Sequence, residues 1–89
     1  MVWTLEFSKA ALSSLKKMDS QTSGRIVDFL EDRVSVAENP RSLGAALTGK
    51  RYQNIWRYRV GDYRVLAEIH DSTVTILVVE IGHRREVYR

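Results

Sequence analysis

The sequence predicts an α+β domain: one strand and a helical hairpin, followed by a three-stranded antiparallel meander that packs on the helices. Three observations predict it. From Val2 to Phe7, Val2, Thr4 and Glu6 alternate with Trp3, Leu5 and Phe7, the period of a half-buried strand. Apolar residues then recur at helical spacing in two stretches between Ala11 and Ala37. From Asn54 the alternation returns, interrupted only by two turn signals.

In the first strand Trp3, Leu5 and Phe7 form the apolar side. Ser8 reads as an N-cap, and Ala11, Leu12, Leu15 and Met18 make the stripe of the first helix. Asp19-Ser20-Gln21-Thr22 breaks the chain and re-caps it. The second helix carries Ile26, Phe29, Leu30, Arg33, Val34 and Ala37 on one stripe, and Asn39-Pro40 stops it because the residue before proline leaves the helical region. Arg41 to Gln53 holds Gly44 and Gly49 without a sustained period, so it reads as a loop with at most one helical turn. Val74 to Ile81 is apolar on both faces, as a central strand would be. No repeat or linker divides the chain, so residues 1–89 form a single domain.

The two turns allow strand register to be read. If Gly61 and Asp62 are the loop residues, Val60 pairs with Tyr63, Arg59 with Arg64, Tyr58 with Val65, Arg57 with Leu66 and Trp56 with Ala67. Paired residues share a face. Trp56, Tyr58, Val60, Tyr63, Val65, Ala67 and Ile69 then form the core side, and Arg57, Arg59 and Arg64 the other. A second loop at Asp71-Ser72 pairs His70 with Thr73, Glu68 with Thr75, Leu66 with Leu77, Arg64 with Val79 and Asp62 with Ile81. The tail His83-Arg84-Arg85 then emerges beside Arg64.

Composition narrows the chemistry. With 44% hydrophobic and 28% charged residues and one proline, the chain has the makeup of an ordinary globular domain. The absence of cysteine excludes a disulfide framework, a thiolate nucleophile and a cysteine metal site. No apolar run approaches the ~18 to 20 residues that cross a bilayer, and Met1 to Glu6 lacks a signal-peptide layout. The expectation is a cytoplasmic protein with no membrane partner, metal or cofactor.

The net charge of +3 is unevenly spread. Residues 1–40 hold five bases against six acids, a net of −1; residues 41–89 hold nine bases against five acids, a net of +4. Eight of those nine bases are arginine, whose planar fork suits phosphate and carboxylate. Arg59 opposite Arg64 costs the sheet some tenths of a kcal/mol. The arginine face is thus either a solvated surface, balanced by Glu68 and Asp62, or an anion site, and a like-charged pair that the fold does not need favours the anion site.

The tail Gly82-His83-Arg84-Arg85-Glu86-Val87-Tyr88-Arg89 adds three arginines, a histidine that titrates near neutrality and a tyrosine hydroxyl. These residue types, set beside strand arginines, offer proton transfer together with phosphoryl-charge stabilisation. A packed histidine and a surface tyrosine are the plainer alternative. His70, at a hairpin corner, reads as structural.

The run Trp56-Arg57-Tyr58-Arg59-Val60-Gly61-Asp62-Tyr63-Arg64-Val65, followed by Gly82-His83-Arg84-Arg85-Glu86-Val87-Tyr88, resembles the RelE/ParE toxin superfamily of bacterial toxin–antitoxin systems. The similarity covers essentially the whole chain and is less specific for the branch than for the superfamily. The RelE branch implies a ribosome-dependent mRNA endonuclease that works without a metal: the 2′-hydroxyl attacks the adjacent phosphodiester and leaves a cyclic phosphate. By this resemblance the catalytic set is Arg57, Arg64, His83, Arg84 and Tyr88, with Arg84 as general acid or phosphate clamp and Tyr88 activating the 2′-hydroxyl. Lys50, Arg51, Arg59 and Arg85 are the implied substrate-binding cations. Two departures stand out. Ile55 occupies the place of a strand lysine of the founding member, and the tail between Arg84 and Tyr88 is about two residues shorter. The implied partners are a cognate RelB-like antitoxin, the ribosome and mRNA in its A site. The ParE branch, which inhibits DNA gyrase on the same fold, and a non-catalytic RNA- or protein-binding module are the alternatives.

Overall fold

In the computed structural model, which describes residues 2–49 and 53–84, β1 (Thr4–Phe7) leads into α1 (Lys9–Lys17) and α2 (Ser20–Phe29). A π-helical turn (Leu30–Val34) and a 3₁₀ turn (Pro40–Leu43) follow, then β2 (Ala45–Ala46), β3 (Ile55–Val60), β4 (Tyr63–His70) and β5 (Thr75–His83). The strands form one five-stranded sheet in the order β1-β5-β4-β3-β2. β5 is central and lies parallel to β1 on one side and antiparallel to β4 on the other. The α+β class and the meander of β3, β4 and β5 are as the sequence predicts.

The helices close over one sheet face. Ile26, Leu30 and Val34, spaced four apart, are each 0% exposed, and each such burial is worth ~1.5–3 kcal/mol. They meet Tyr58, Val65, Ala67, Ile76, Val78 and Ile81 from the sheet, with Trp3 and Ala11 completing the core. Ser8 caps α1: its hydroxyl accepts from the Ala11 N–H at 3.0 Å. That hydroxyl also donates to the Val79 carbonyl at 2.8 Å, tying the start of α1 to β5.

Regular α-helix ends at Phe29, short of the proline stop that the sequence suggests. The Ser35 N–H bonds the Leu30 carbonyl at 2.8 Å and its hydroxyl the Glu31 carbonyl at 2.7 Å, so the last turn widens and closes on serine. Ala37 therefore lies beyond the helix. The predicted loop contains β2, a two-residue strand of alanines that propensity gives no reason to expect.

The first hairpin has the predicted register, from Val60–Tyr63 through Trp56–Ala67. Gly61 takes the positive φ (59°) that the first position of a type II′ turn requires. The second hairpin does not have it. Its loop spans four residues, Asp71 to Val74, closed by the Val74 N–H on the Asp71 carbonyl at 3.2 Å. Val74 sits at φ 49°, a costly setting for a β-branched residue. Two things hold it there: its side chain packs on the core, and its carbonyl accepts from the Thr4 N–H at 2.9 Å.

The longer loop moves the register by two, so His70 pairs with Thr75 and Glu68 with Leu77, in place of the predicted Thr73 and Thr75. A bulge at Val79 then adds one more residue. Beyond it Leu66 faces Glu80 rather than Leu77, Arg64 faces Gly82 rather than Val79, and Ile81 pairs with Val65 rather than standing near Asp62. The core spacing records the bulge directly: Ile76 and Val78 point inward, and the next inward residue is Ile81.

Candidate nucleic-acid interface

The face of the sheet turned away from the helices carries Arg57 and Arg59 on β3 and Arg64 on β4. Arg59 and Arg64 are directly opposite one another, and Arg57 lies diagonal to Arg64 across the same strand pair. Cross-strand partners have Cα atoms about 4.5–5.5 Å apart, which makes this a dense cationic patch. Leu66, between its partners Arg57 and Glu80, is only 4% exposed on this outer face. Opposite Arg64 stands Gly82, which leaves that flank of the cation as bare backbone.

The acids are engaged elsewhere or stand apart. Glu68 meets His70 at 2.9 Å, and Asp71 takes both guanidinium nitrogens of Arg41, at 3.0 and 2.6 Å. Arg41 holds the Asp71 carboxyl below its ordinary pKa, and Asp71 raises that of Arg41. Among the described residues, no carboxylate lies within ion-pair distance of Arg57, Arg59, Arg64 or Arg84. The alternative in which Glu68 and Asp62 neutralise the patch is therefore not seen among the described residues. Arg64 donates to the Tyr63 carbonyl at 3.3 Å, whereas the Arg57 Nε is buried with no acceptor. Glu80 is the acid that sequence reasoning missed: the bulge turns it onto this face, one diagonal step from Arg64. Its signal in the sequence was a lone carboxylate in the apolar run Val74 to Ile81.

The tail divides at the end of β5. The Arg84 N–H donates to the Asp62 carbonyl at 2.9 Å, so Arg84 starts beside the β3–β4 turn, exposed and opposite Asp62. His83 is a correction to the predicted cluster. It pairs with Tyr63 on the helix side, with the rings edge to face at 5.7 Å and 81°. There it lines a cleft of about 200 Å³ with Ser14, Lys17 and Met18, on the other side of the sheet from Arg64. The odd residue in the bulge is the cause. Lys50, Arg51, Arg85 and Tyr88 lie outside the described residues. His70 ends β4 at the hairpin corner, with an exposed side chain whose Nε2 is 2.9 Å from Glu68.

Residues 5–88 match the family model of the ParE toxin of type II toxin–antitoxin systems. The chain belongs to the RelE/ParE family of type II toxins. Toxin RelG of Mycobacterium tuberculosis is 27% identical to it over 89 residues, 100% of this chain and 99% of RelG. The fold is that of solved toxins in this family. The RelBE2 toxin–antitoxin complex of M. tuberculosis contains a chain that superposes with a TM-score of 0.84 at 24% identity, over 97% of this chain and 95% of that one. The archaeal RelE–RelB complex of Pyrococcus horikoshii gives 0.72 at 20% identity, covering 98% and 100%. The isolated E. coli RelE toxin gives 0.71 at 21%, covering 97% and 90%. Within this family fold the chain carries Arg57, Arg59 and Arg64 on the side of the sheet turned away from its own helices. No helix among the described residues is long and apolar enough to cross a membrane.

Proposed function

We propose that this toxin is a ribosome-dependent mRNA endonuclease that cleaves without a metal. The observation that carries the reading is the arginine face: Arg57, Arg59 and Arg64 share one sheet surface, with Gly82 opposite Arg64 and no carboxylate in ion-pair reach among the described residues. Cleavage by an internal nucleophile asks little else of a protein. The RNA 2′-oxygen bonds to phosphorus, the bond from phosphorus to the 5′-oxygen breaks, and the products are a cyclic phosphate and a free 5′-hydroxyl. Arg57 and Arg64 stabilise the charge that builds on the non-bridging oxygens. Arg84, beside the hairpin turn, donates the proton that the leaving 5′-oxygen takes up as the bond breaks, and Tyr88, as the phenolate, accepts the 2′ proton. His83, turned toward the helices, is given no part in proton transfer. Arg59, with Lys50, Arg51 and Arg85, holds the flanking backbone of an mRNA presented in the ribosomal A site.

Several similar chains were solved as complexes with RelB, and a RelB-like antitoxin that covers the open cationic face is the partner proposed for this one. Mapping mRNA 5′ ends after induced expression tests the activity. Cuts within translated codons that vanish in Arg64→Ala and Tyr88→Ala support it.

One observation favours a second reading. The family model that matches is that of ParE, and a chain whose histidine is turned from the arginine face has one proton carrier fewer for a nuclease. Intact mRNA together with DNA damage and stalled replication would make the toxin a gyrase inhibitor instead.

A further inference from the structure

Arg33, in the π-helical turn after α2, is the one charged residue in the apolar stripe that the sequence shows there, and the arginine face does not account for it. Its neighbours Leu30 and Val34 are fully buried, while Arg33 itself is exposed, with its guanidinium carbon 5.9 Å from the Phe29 ring centroid. Phe29 in turn meets Tyr58 edge to face at 6.3 Å, so the aromatic that carries the cation is fixed to the core. Arg33 thereby overlooks a groove of about 250 Å³ that it lines with Phe29, Leu43, Gly44, Arg57 and Arg59.

The groove exists for two structural reasons. β2 pairs only with Trp56 and Arg57, which leaves the Arg59 end of β3 without an outer neighbour. Gly44 lets the chain run close to β3, since a side chain there would meet the Arg57 carbonyl at 2.6 Å. Three arginines line this small space, among the described residues no carboxylate lines it, and the Arg57 Nε is a buried donor without an acceptor. A cavity lined by three arginines is complementary to a tetrahedral oxyanion.

We propose that this groove is a second phosphate site, which holds the RNA backbone phosphate adjacent to the scissile one, with Arg33 as its outer cation. The inference rests on the RNA-cleaving reading above. Arg57 connects the two sites, because it is diagonal to Arg64 on the sheet face and also lines the groove. The face of Phe29 is occupied by Arg33, so the site offers charge and shape but no stacking platform. It positions the strand without reading its bases.

The test compares the full-length toxin with Arg33→Gln and Arg33→Lys. Binding of a short single-stranded oligoribonucleotide, blocked against cleavage by 2′-deoxy substitution, is measured across a salt series, and cleavage is measured on mRNA-programmed ribosomes. Arg33→Gln is expected to bind about five- to tenfold more weakly at low salt, with the slope of log K against log salt shallower by about 0.7. Arg33→Lys restores most of that slope. The cleavage rate at saturating programmed ribosomes stays at the wild-type value, while half-saturation shifts by the same factor as binding. An unchanged slope and half-saturation in Arg33→Gln, with wild-type cleavage intact, overturns the inference and leaves the nuclease reading standing. Weakened antitoxin binding with normal RNA binding overturns it as well, by assigning the groove to a protein. If the wild type neither binds nor cuts RNA, both readings fall together.

Discussion

Arg64 stands directly opposite Gly82 across the β4–β5 pair, so the middle cation of the face has only backbone on one flank. Gly82→Val would suit a strand but would project a branched side chain beside Arg64. The variant is expected to fold with an unchanged or higher melting temperature and to lose RNA cleavage by at least about tenfold, approaching the ~100-fold or greater loss expected for Arg64→Ala. Cleavage assays run next to thermal unfolding check this, and full activity in Gly82→Val would show that the space is not used.

The Arg59–Arg64 pair should reveal a conflict between folding and binding. Replacing Arg59 by threonine removes a like-charge cross-strand contact and places a good strand former on β3. A stability gain of ~0.2–1 kcal/mol is expected by urea unfolding, together with weaker RNA binding. If stability instead falls, the two guanidinium groups do not oppose each other as their register implies.

Ser8 is asked for two hydrogen bonds at once, one received from the Ala11 N–H and one given to the Val79 carbonyl. Ser8→Ala is expected to cost ~1–3 kcal/mol, since it removes a helix cap and leaves a part-buried carbonyl without its donor. Ser8→Thr retains both bonds and should recover most of the loss. Denaturant midpoints for the three proteins decide it.

Tyr58 makes stability depend on pH in the alkaline range. Its hydroxyl donates to the Pro40 carbonyl at 2.8 Å, and burial pushes its pKa up to about 12, with Arg41 pulling weakly the other way. The folded state therefore favours the neutral phenol. That preference is fully present below pH ~10, and ~2–3 kcal/mol of it is lost as the pH rises toward ~12. Tyr58→Phe should be less stable at neutral pH by ~1 kcal/mol, the value of the lost hydrogen bond. It should also lack the alkaline loss, so the stability difference between wild type and variant must shrink and then reverse. A constant difference from pH ~9 to ~11.5 would contradict this assignment.

What the sequence made legible follows from its turn chemistry. Gly61-Asp62 forms a two-residue turn, and that one piece of chemistry sets every pair from Val60–Tyr63 to Trp56–Ala67, hence the whole β3–β4 part of the arginine face. Asp71 to Val74 contains no glycine, so its length could not be read, and a β-branched residue in the left-handed region runs against local preference. The bulge was hidden for a different reason. In a strand that is apolar on both sides, an extra residue breaks no pattern. His83 and Glu80 were misjudged by that single residue, whereas Arg57, Arg59 and Arg64, which depend on the first hairpin alone, were not. Arg33 was visible as an anomaly in an apolar stripe, but its meaning required the neighbouring Phe29 and the shortness of β2.

Val79 works as a phase shifter within one continuous strand. Upstream of it, β5 is locked to β1 from Thr75 to Val78, so its inward residues are set by the core. Downstream, the same strand runs on the opposite parity, and it is this that sends His83 inward and starts Arg84 beside the cationic face. The tail is thus addressed by counting rather than by contact. Deleting one residue at this point would exchange the faces taken by Glu80 to His83 while leaving the tail's own sequence untouched. Two toxins with identical C-terminal motifs can therefore present different residues to a substrate, and the motif is informative only when the strand ahead of it has been counted.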